Sequence, residues 1–344
     1  MPGVLLFTGP YEPPFDEGVK LFAHHLVRGL GEIGEVSVAT TAERAPAGAT
    51  IIPRKPWAFL AAMRRLCRSV RPDALVYVPD AYLDRYTLAR CGLLRLAAGR
   101  IPIGMVTLQP GTIDLAVRVM IRLWRPDVVF AVTDTEADLY RRHGVALERL
   151  PPAVDAERFR PAASPAEKEA LRRQYGLPAG GKVCLHVGHI RRSRNIDWLL
   201  RLNLPDDVRL VVVGSRSRAL EEDMKQALLG RGAIVPESYL PAIEELYRAA
   251  DVYLFPVTQD RAAIGMPLSV LEAMASNLRV VSTPFGGLAD HFRGVPGLYY
   301  AGTPEEFQRA ALEALRVEAC GTRAAVERYT WQGVASLVRE RLRR

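Results

Sequence analysis

Three arginines crowd into one short run of this chain, Gly188-His189-Ile190-Arg191-Arg192-Ser193-Arg194-Asn195, directly after an apolar stretch, KVCLHV, that reads as a strand. A glycine at a strand end lets a ligand approach the backbone, and arginine meets phosphate oxygens with a planar, permanently charged fork. The run has the makeup of a diphosphate clamp, although a solvated surface loop would use the same residues. Val213-Gly214-Ser215-Arg216 repeats the strand-then-glycine turn after a second apolar run.

Residues 264–277, IGMPLSVLEAMASN, carry a second kind of chemistry. Gly265 supplies a flexible turn, Pro267 suits the first helical position, and LSVLEAMA has helical composition. The helix start at Met266, Pro267 and Leu268 would aim unpaired N–H groups and a partial positive charge at an anion. Glu272 falls about one turn further on. Its carboxylate is able to accept from two vicinal ribose hydroxyls, and a surface glutamate on a core helix has the same spacing.

The elements that must position these residues alternate between short β-branched runs and amphipathic stretches. VLLFTG, EVSVAT, DALVYVP, IPIGMVT and DVVFAV precede residue 133; KVCLHVG, VRLVVVG, DVYLFP, LRVVST and GLYYA follow residue 181. Parallel strands need crossover helices, so each set predicts a doubly wound parallel sheet with its ligand-binding edge at the carboxyl ends of the strands. LPPAVDAERFRPAASPA, rich in proline and small residues, reads as a linker between the two. The terminal YTWQGVASLVRERLRR reads as an amphipathic helix.

Composition agrees with two domains and a cleft. The chain has 344 residues, 49% hydrophobic and 24% charged, too long for one ordinary core and too apolar for disorder. No apolar run approaches membrane-spanning length and the first residues lack the pattern of a signal peptide, so a cytoplasmic location is expected. Cys67, Cys91, Cys184 and Cys320 lack metal or disulfide spacing, which predicts reduced core residues and no metal site. The net charge of +8 rests on arginine, with only five lysines among 46 basic residues. An anionic ligand or surface fits that balance. Without an aromatic-interleaved basic patch, a nucleic-acid partner does not. AVRVMIRLWRP sets Arg118, Arg122 and Arg125 among Val119, Ile121, Leu123 and Trp124, and AAMRRLCRSVRP is similarly basic. Each is either a helix that lies on anionic lipid or an ordinary crossover helix with exposed arginines.

Taken in order, DVVFAVTDTEADLYRRHGV, LPPAVDAERFRP, VCLHVGHIRRSRNIDWLL, RLVVVG, ELYRAADVYLFP, LSVLEAMASNLRVVSTPFGGLAD and the late YTW resemble the family 4 retaining glycosyltransferases of the GT-B fold. They cover about two thirds of the chain. The resemblance implies two Rossmann-like α/β domains, residues 1–160 on the acceptor side and 161–328 on the donor side, with 329–344 packing back on the first. It implies metal-independent transfer of a sugar, with retention, from a nucleotide diphosphate to a glycan, lipid-linked or small-molecule acceptor, and no cofactor besides the donor.

By that resemblance Glu272 is the second glutamate of the family signature and binds the donor ribose. Gly188 and Arg194 match the glycine and lysine of the GRLxxxKG block, whose cations neutralise the diphosphate. Arg194 and Glu272 are therefore the expected catalytic pair. The chain also departs from the family. His189 stands where the block has arginine, so Arg191 or Arg192 is expected to compensate. Ile264 replaces the first signature glutamate, a contact of the donor sugar, after a longer loop, VTQDRAA. In the first half only Gly18 matches the usual glycine pair, and Gln109 aligns with a histidine; an amide there holds hydroxyls but is no base. Two other classes stay open: a glycosyltransferase-like protein that binds a nucleotide sugar or glycan without turnover, and a nucleotide-sugar epimerase of the same fold.

Overall fold

The computed structural model describes residues 3–79, 84–111, 114–133, 140–215, 221–318 and 320–343. The chain forms two compact units, Met1–Pro151 with Trp331–Arg344, and Pro152–Thr330.

In the first unit, seven strands run parallel: β1 (Val4–Thr8), β2 (Val36–Thr40), β3 (Ala49–Ile51), β4 (Ala74–Val78), β5 (Ile103–Thr107), β6 (Val128–Ala131) and β7 (Ala146–Arg149). Their order is β3-β2-β1-β4-β5-β6-β7. Every residue of β1, β4 and β5 is buried, so these strands read as continuous apolar runs rather than alternating ones, as a sheet covered on both faces demands. The edge strands β3 and β7 escaped the sequence reading. One has three residues and the other, ALER, lacks β-branched side chains.

Helices Pro56–Val70, Arg85–Ala98 and Leu115–Trp124 cover one face, with Phe59, Met63, Leu88, Leu94, Val117 and Ile121 in the same core as Leu5, Phe7, Leu75 and Met105. Asp84 and Asp114 cap two of them by accepting from the N–H of Thr87 and Val117, each at 2.8 Å. Helices Gly18–Ile33 and Trp331–Leu342 pack against each other. Trp331 stacks on His25 at 4.9 Å and meets Phe22 edge-on at 5.2 Å. A side chain on Gly29 would sit 2.7 Å from the Trp331 carbonyl oxygen, so this close crossing requires glycine there. Val334 and Val338 of the Trp331–Leu342 helix are buried, and Leu342 is buried beside Gly104 of β5, each contributing about 1.5–3 kcal/mol.

The second unit holds β8 (Lys182–Val187), β9 (Val208–Val213), β10 (Val252–Phe255), β11 (Arg279–Ser282) and β12 (Leu298–Tyr300), parallel and in the order β12-β11-β10-β8-β9. β9 leaves β8 on one side and β10 lies on the other. The connections thus diverge between β8 and β10, which opens the ligand crevice of a doubly wound sheet at their carboxyl ends. The opposite end is fixed by Asp251, which accepts from Arg172 at 2.6 Å, Lys168 at 2.7 Å and the Val183 N–H at 2.7 Å. Burial pushes its pKa up, but Lys168, the Val183 N–H and Arg172 outweigh that and hold the carboxylate below its usual value.

Two sequence readings need correction. The break between units falls at Pro151–Pro152, not at residue 160. The supposed linker is packed structure of the second unit: Phe159 is buried edge-on against Tyr247 at 5.3 Å, Arg158 pairs with Glu244 at 2.8 Å, and the Val154 N–H reaches the Tyr329 carbonyl at 3.1 Å.

Candidate functional site

At the carboxyl end of β8 the chain turns at Gly188, whose N–H donates to the Val213 carbonyl at 2.9 Å and so joins the ends of β8 and β9. Ile190 is fully buried and anchors the loop in the core. A short 3-10 turn, Arg192–Arg194, leads to Asn195 in the left-handed region at φ 53. The Asn195 amide donates to the Pro256 carbonyl and to Thr258 Oγ1, each at 2.8 Å, which ties the loop after β8 to the loop after β10. Both loops line the crevice where the strand order diverges.

Arg194 folds back over Gly188. Its Nη1 lies 2.7 Å from where a Cβ on Gly188 would sit, so any larger residue would displace the guanidinium. Arg191 and His189 are half-buried beside it. Arg192 points elsewhere: its side chain is 67% exposed and is paired with Asp223 and, at 3.7 Å, with Glu221. The expectation that it supplements His189 is therefore not met, because acidic side chains of the Glu222–Gly230 helix and the residue before it already hold it. Gly214 is half-buried after β9; Arg216 lies outside the described residues.

The Leu268–Ala275 helix starts in the same crevice, after β10, with no side chain capping its N-terminus. Pro267 occupies the cap position itself, at φ −65 and ψ 115, rather than the first helical position expected from the sequence. The turn before it is clamped: the Gly265 carbonyl accepts from the Gly287 N–H at 2.9 Å, and Gly286, at φ 55, leaves no room for a side chain against Gly265. Ile264 and Met266 are buried, at 5% and 4% exposure, and give the turn an apolar underside.

Glu272 is 7% exposed, not a surface residue. One carboxylate oxygen accepts from the Tyr247 hydroxyl at 3.0 Å; Tyr247 stacks on Tyr253 at 5.7 Å, whose hydroxyl donates to the Val187 carbonyl at 3.2 Å. Burial pushes the Glu272 pKa up to about 7, opposed by the Tyr247 hydrogen bond and the Arg158 charge and reinforced by Glu244 and Asp155. Burial-shifted carboxyls of this kind cluster at functional sites, which makes Glu272 a candidate for one. The sequence reading passed over Tyr247 and Tyr253. It also passed over His186, although a histidine inside the apolar strand KVCLHV is itself a signal.

In the first unit, Gly18 begins the helix after β1 and Gln109 follows β5, both at the carboxyl edge of the sheet. Around the first of these loops Tyr11, Phe15 and His24 cluster, with Phe15 and His24 stacked at 4.2 Å. The Leu115–Trp124 helix buries Val117 and Ile121 but exposes Arg118 and Arg122, with Leu115 78% and Leu123 69% exposed. Ile121 therefore belongs to the core and not to the outer face expected for it. Arg125, one residue beyond, is exposed and donates to the Gly144 carbonyl at 3.2 Å. Among the described residues no helix is long and apolar enough to cross a membrane, and no cluster of three or more His, Cys, Asp or Glu is placed to hold a metal ion.

Two parallel-sheet α/β units, the second with a crevice at its diverging strand ends, define the GT-B fold. Solved structures agree. Sucrose-phosphate synthase from Thermosynechococcus elongatus is similar over 100% of this chain and 98% of its own, with a TM-score of 0.77 at 15% identity. Anabaena Alr3699/HepE in complex with UDP and glucose is similar over 99% of both chains, with a TM-score of 0.76 at 17% identity. Residues 181–316, within the second unit, match the family profile of glycosyl transferases group 1. A D-inositol 3-phosphate glycosyltransferase of Arthrobacter sp. is 31% identical over 214 residues, 56% of this chain and 49% of the relative. The chain spans about half the length of this curated relative.

Proposed function

We propose that the protein is a retaining glycosyltransferase that takes a sugar from a nucleoside diphosphate donor held by its second unit. One observation carries the reading: Arg194 folded over Gly188, the uncapped start of the Leu268–Ala275 helix and the buried Glu272 within that helix all follow the carboxyl ends of β8 and β10. Glu272 is suited to two vicinal ribose hydroxyls, and the helix N-terminus with Arg194 to the diphosphate. When the bond from the anomeric carbon to the diphosphate breaks, negative charge grows on the leaving group. The reading assigns its stabilisation to these fixed donors rather than to a metal ion. The acceptor oxygen forms its bond on the face the diphosphate leaves, so configuration is retained. That a structural neighbour was solved with UDP and glucose supports a nucleotide-sugar donor.

A thermal-shift screen of nucleotide sugars tests this, because a bound donor stabilises by mass action and so identifies base and sugar together. No stabilisation by any nucleotide sugar or nucleoside diphosphate would refute it. The buried Ile264, where the resembled family carries glutamate, favours a second reading in which the same site binds a nucleotide sugar without turnover. Donor hydrolysis or transfer to any acceptor excludes that reading. We further infer that the acceptor is a glycan, a lipid-linked molecule or a small molecule reached from the first unit, through the loops at Gly18 and Gln109. The outward Arg118, Arg122, Leu115 and Leu123 suit peripheral contact with an anionic membrane face.

A further inference from the structure

We propose that His186 is a positioning residue for Arg194: its Nε2, unpartnered among the described residues and beside the guanidinium at Gly188, takes one guanidinium N–H when a diphosphate binds and so sets the fork that the diphosphate meets. This rests on the reading of Arg194 as a diphosphate ligand.

His186 sits near the carboxyl end of β8, at the divergence from β10, and is fully buried. Its Nδ1 lies 2.8 Å from the Leu254 carbonyl oxygen of β10. A carbonyl only accepts, so Nδ1 carries the proton and Nε2 carries a lone pair. No group among the described residues donates to that Nε2. A buried acceptor left open in this way typically costs about 1–3 kcal/mol, so its retention inside an otherwise apolar strand calls for a reason.

The surroundings supply one. Nε2 lies 3.3 Å from the point a Cβ on Gly188 would occupy, and Arg194 Nη1 lies 2.7 Å from the same point. Imidazole and guanidinium thus both border the space that a side chain on Gly188 would fill. A neutral lone pair attracts the guanidinium, and a protonated ring would repel it. Burial, with the Arg194 charge adding to it, holds the ring pKa down to about 4, so His186 presents an acceptor throughout the neutral range. One N–H given to Nε2 fixes the plane of the Arg194 guanidinium and with it the direction of the fork. His186 touches no substrate itself.

The test is a double-mutant cycle in the full chain, with UDP, GDP, ADP and dTDP each measured against its nucleoside by calorimetry. His186→Asn keeps an N–H for the Leu254 carbonyl and removes the ε acceptor. It is expected to weaken diphosphate binding roughly tenfold, as loss of a charge-assisted hydrogen bond does, and to leave nucleoside affinity unchanged. In an Arg194→Gln background the same change is expected to have no further effect. Equal loss in both backgrounds, or equal loss for nucleoside and diphosphate, overturns the proposal. Full diphosphate affinity in His186→Asn, with loss in Arg194→Gln, sinks the proposal alone. Full affinity in Arg194→Gln sinks the reading of Arg194 and the proposal with it. Should His186→Asn fail to fold, the 15N shift of His186 Nε2 decides. It is expected to move on diphosphate addition in the wild type and to stay fixed in Arg194→Gln, and an identical response in both overturns the proposal.

Discussion

Glu272→Gln keeps the volume of the side chain and an oxygen for the Tyr247 hydroxyl, but removes a carboxyl that burial disfavours when charged. Its pKa is about 7 in the folded protein against an ordinary value of 4.5. The folded state therefore holds this proton more tightly than the unfolded chain, and the wild type loses stability as pH rises from 4.5 to 7, after which the loss is complete. A difference of about 2.5 units at 1.36 kcal/mol each amounts to about 3 kcal/mol. The glutamine variant has no such term. Its stability relative to wild type should thus climb by about 3 kcal/mol between pH 4.5 and 8, or roughly 6–12 °C in Tm for a unit of this size. Melting curves of both proteins at unit pH steps measure this directly, because every other titrating group is common to the two. A difference in Tm that stays constant over that range would refute the reasoning. The variant should also bind nucleotide more weakly, the usual trade of activity for stability at a strained site.

Nucleoside diphosphate affinity of the wild type should rise about tenfold from pH 6 to pH 8, as Glu272 no longer has to lose a proton on binding, and calorimetry should show that part of the rise missing in Glu272→Gln. Arg194→Ala should lower turnover about a hundredfold at saturating donor while the melting temperature holds, equivalent to ~3 kcal/mol of transition-state stabilisation; normal turnover would remove Arg194 from the chemistry. Arg172→Ala leaves Asp251 buried without its closest cation and should destabilise the second unit by about 3–5 kcal/mol in urea unfolding. Neutralising Arg118 and Arg122 to glutamine should weaken binding to anionic liposomes by roughly 2 kcal/mol, about thirtyfold, and salt-insensitive binding would rule out the electrostatic contact.

The central strands were legible because a parallel sheet covered on both faces writes itself as unbroken runs such as VLLFT and ALVYV. β3 and β7, short edge strands, have no such run to show. Gly188, Arg194 and Glu272 stand out as candidates in the sequence because their types and spacing are local, each beside its own strand or helix start. What the sequence hid is contact between distant segments. In the sequence nothing separates Arg192 from Arg194, yet Asp223, 31 residues on, holds Arg192. Tyr247 reaches Glu272 across 25 residues, and His186 reaches Leu254 across 68. Neither separation corresponds to any periodicity along the chain. The proline-rich stretch after Leu150 misled for the opposite reason: composition marks it as linker, while Phe159 and Arg158 commit it to the second unit.

The return of Trp331–Leu342 to the first unit makes residues 152–330 an insertion within it. During synthesis that unit cannot complete its packing when its own strands have emerged. The Gly18–Ile33 helix stays uncovered at Phe22, His25 and Gly29 while the whole second unit is translated, and closes only when Trp331 and the residues after it leave the ribosome. Two peptide connections, not one, then join the units, and each is fixed in length by the fold on either side. Cutting the chain at Pro151 would not release a finished domain but one lacking the helix that covers Gly29.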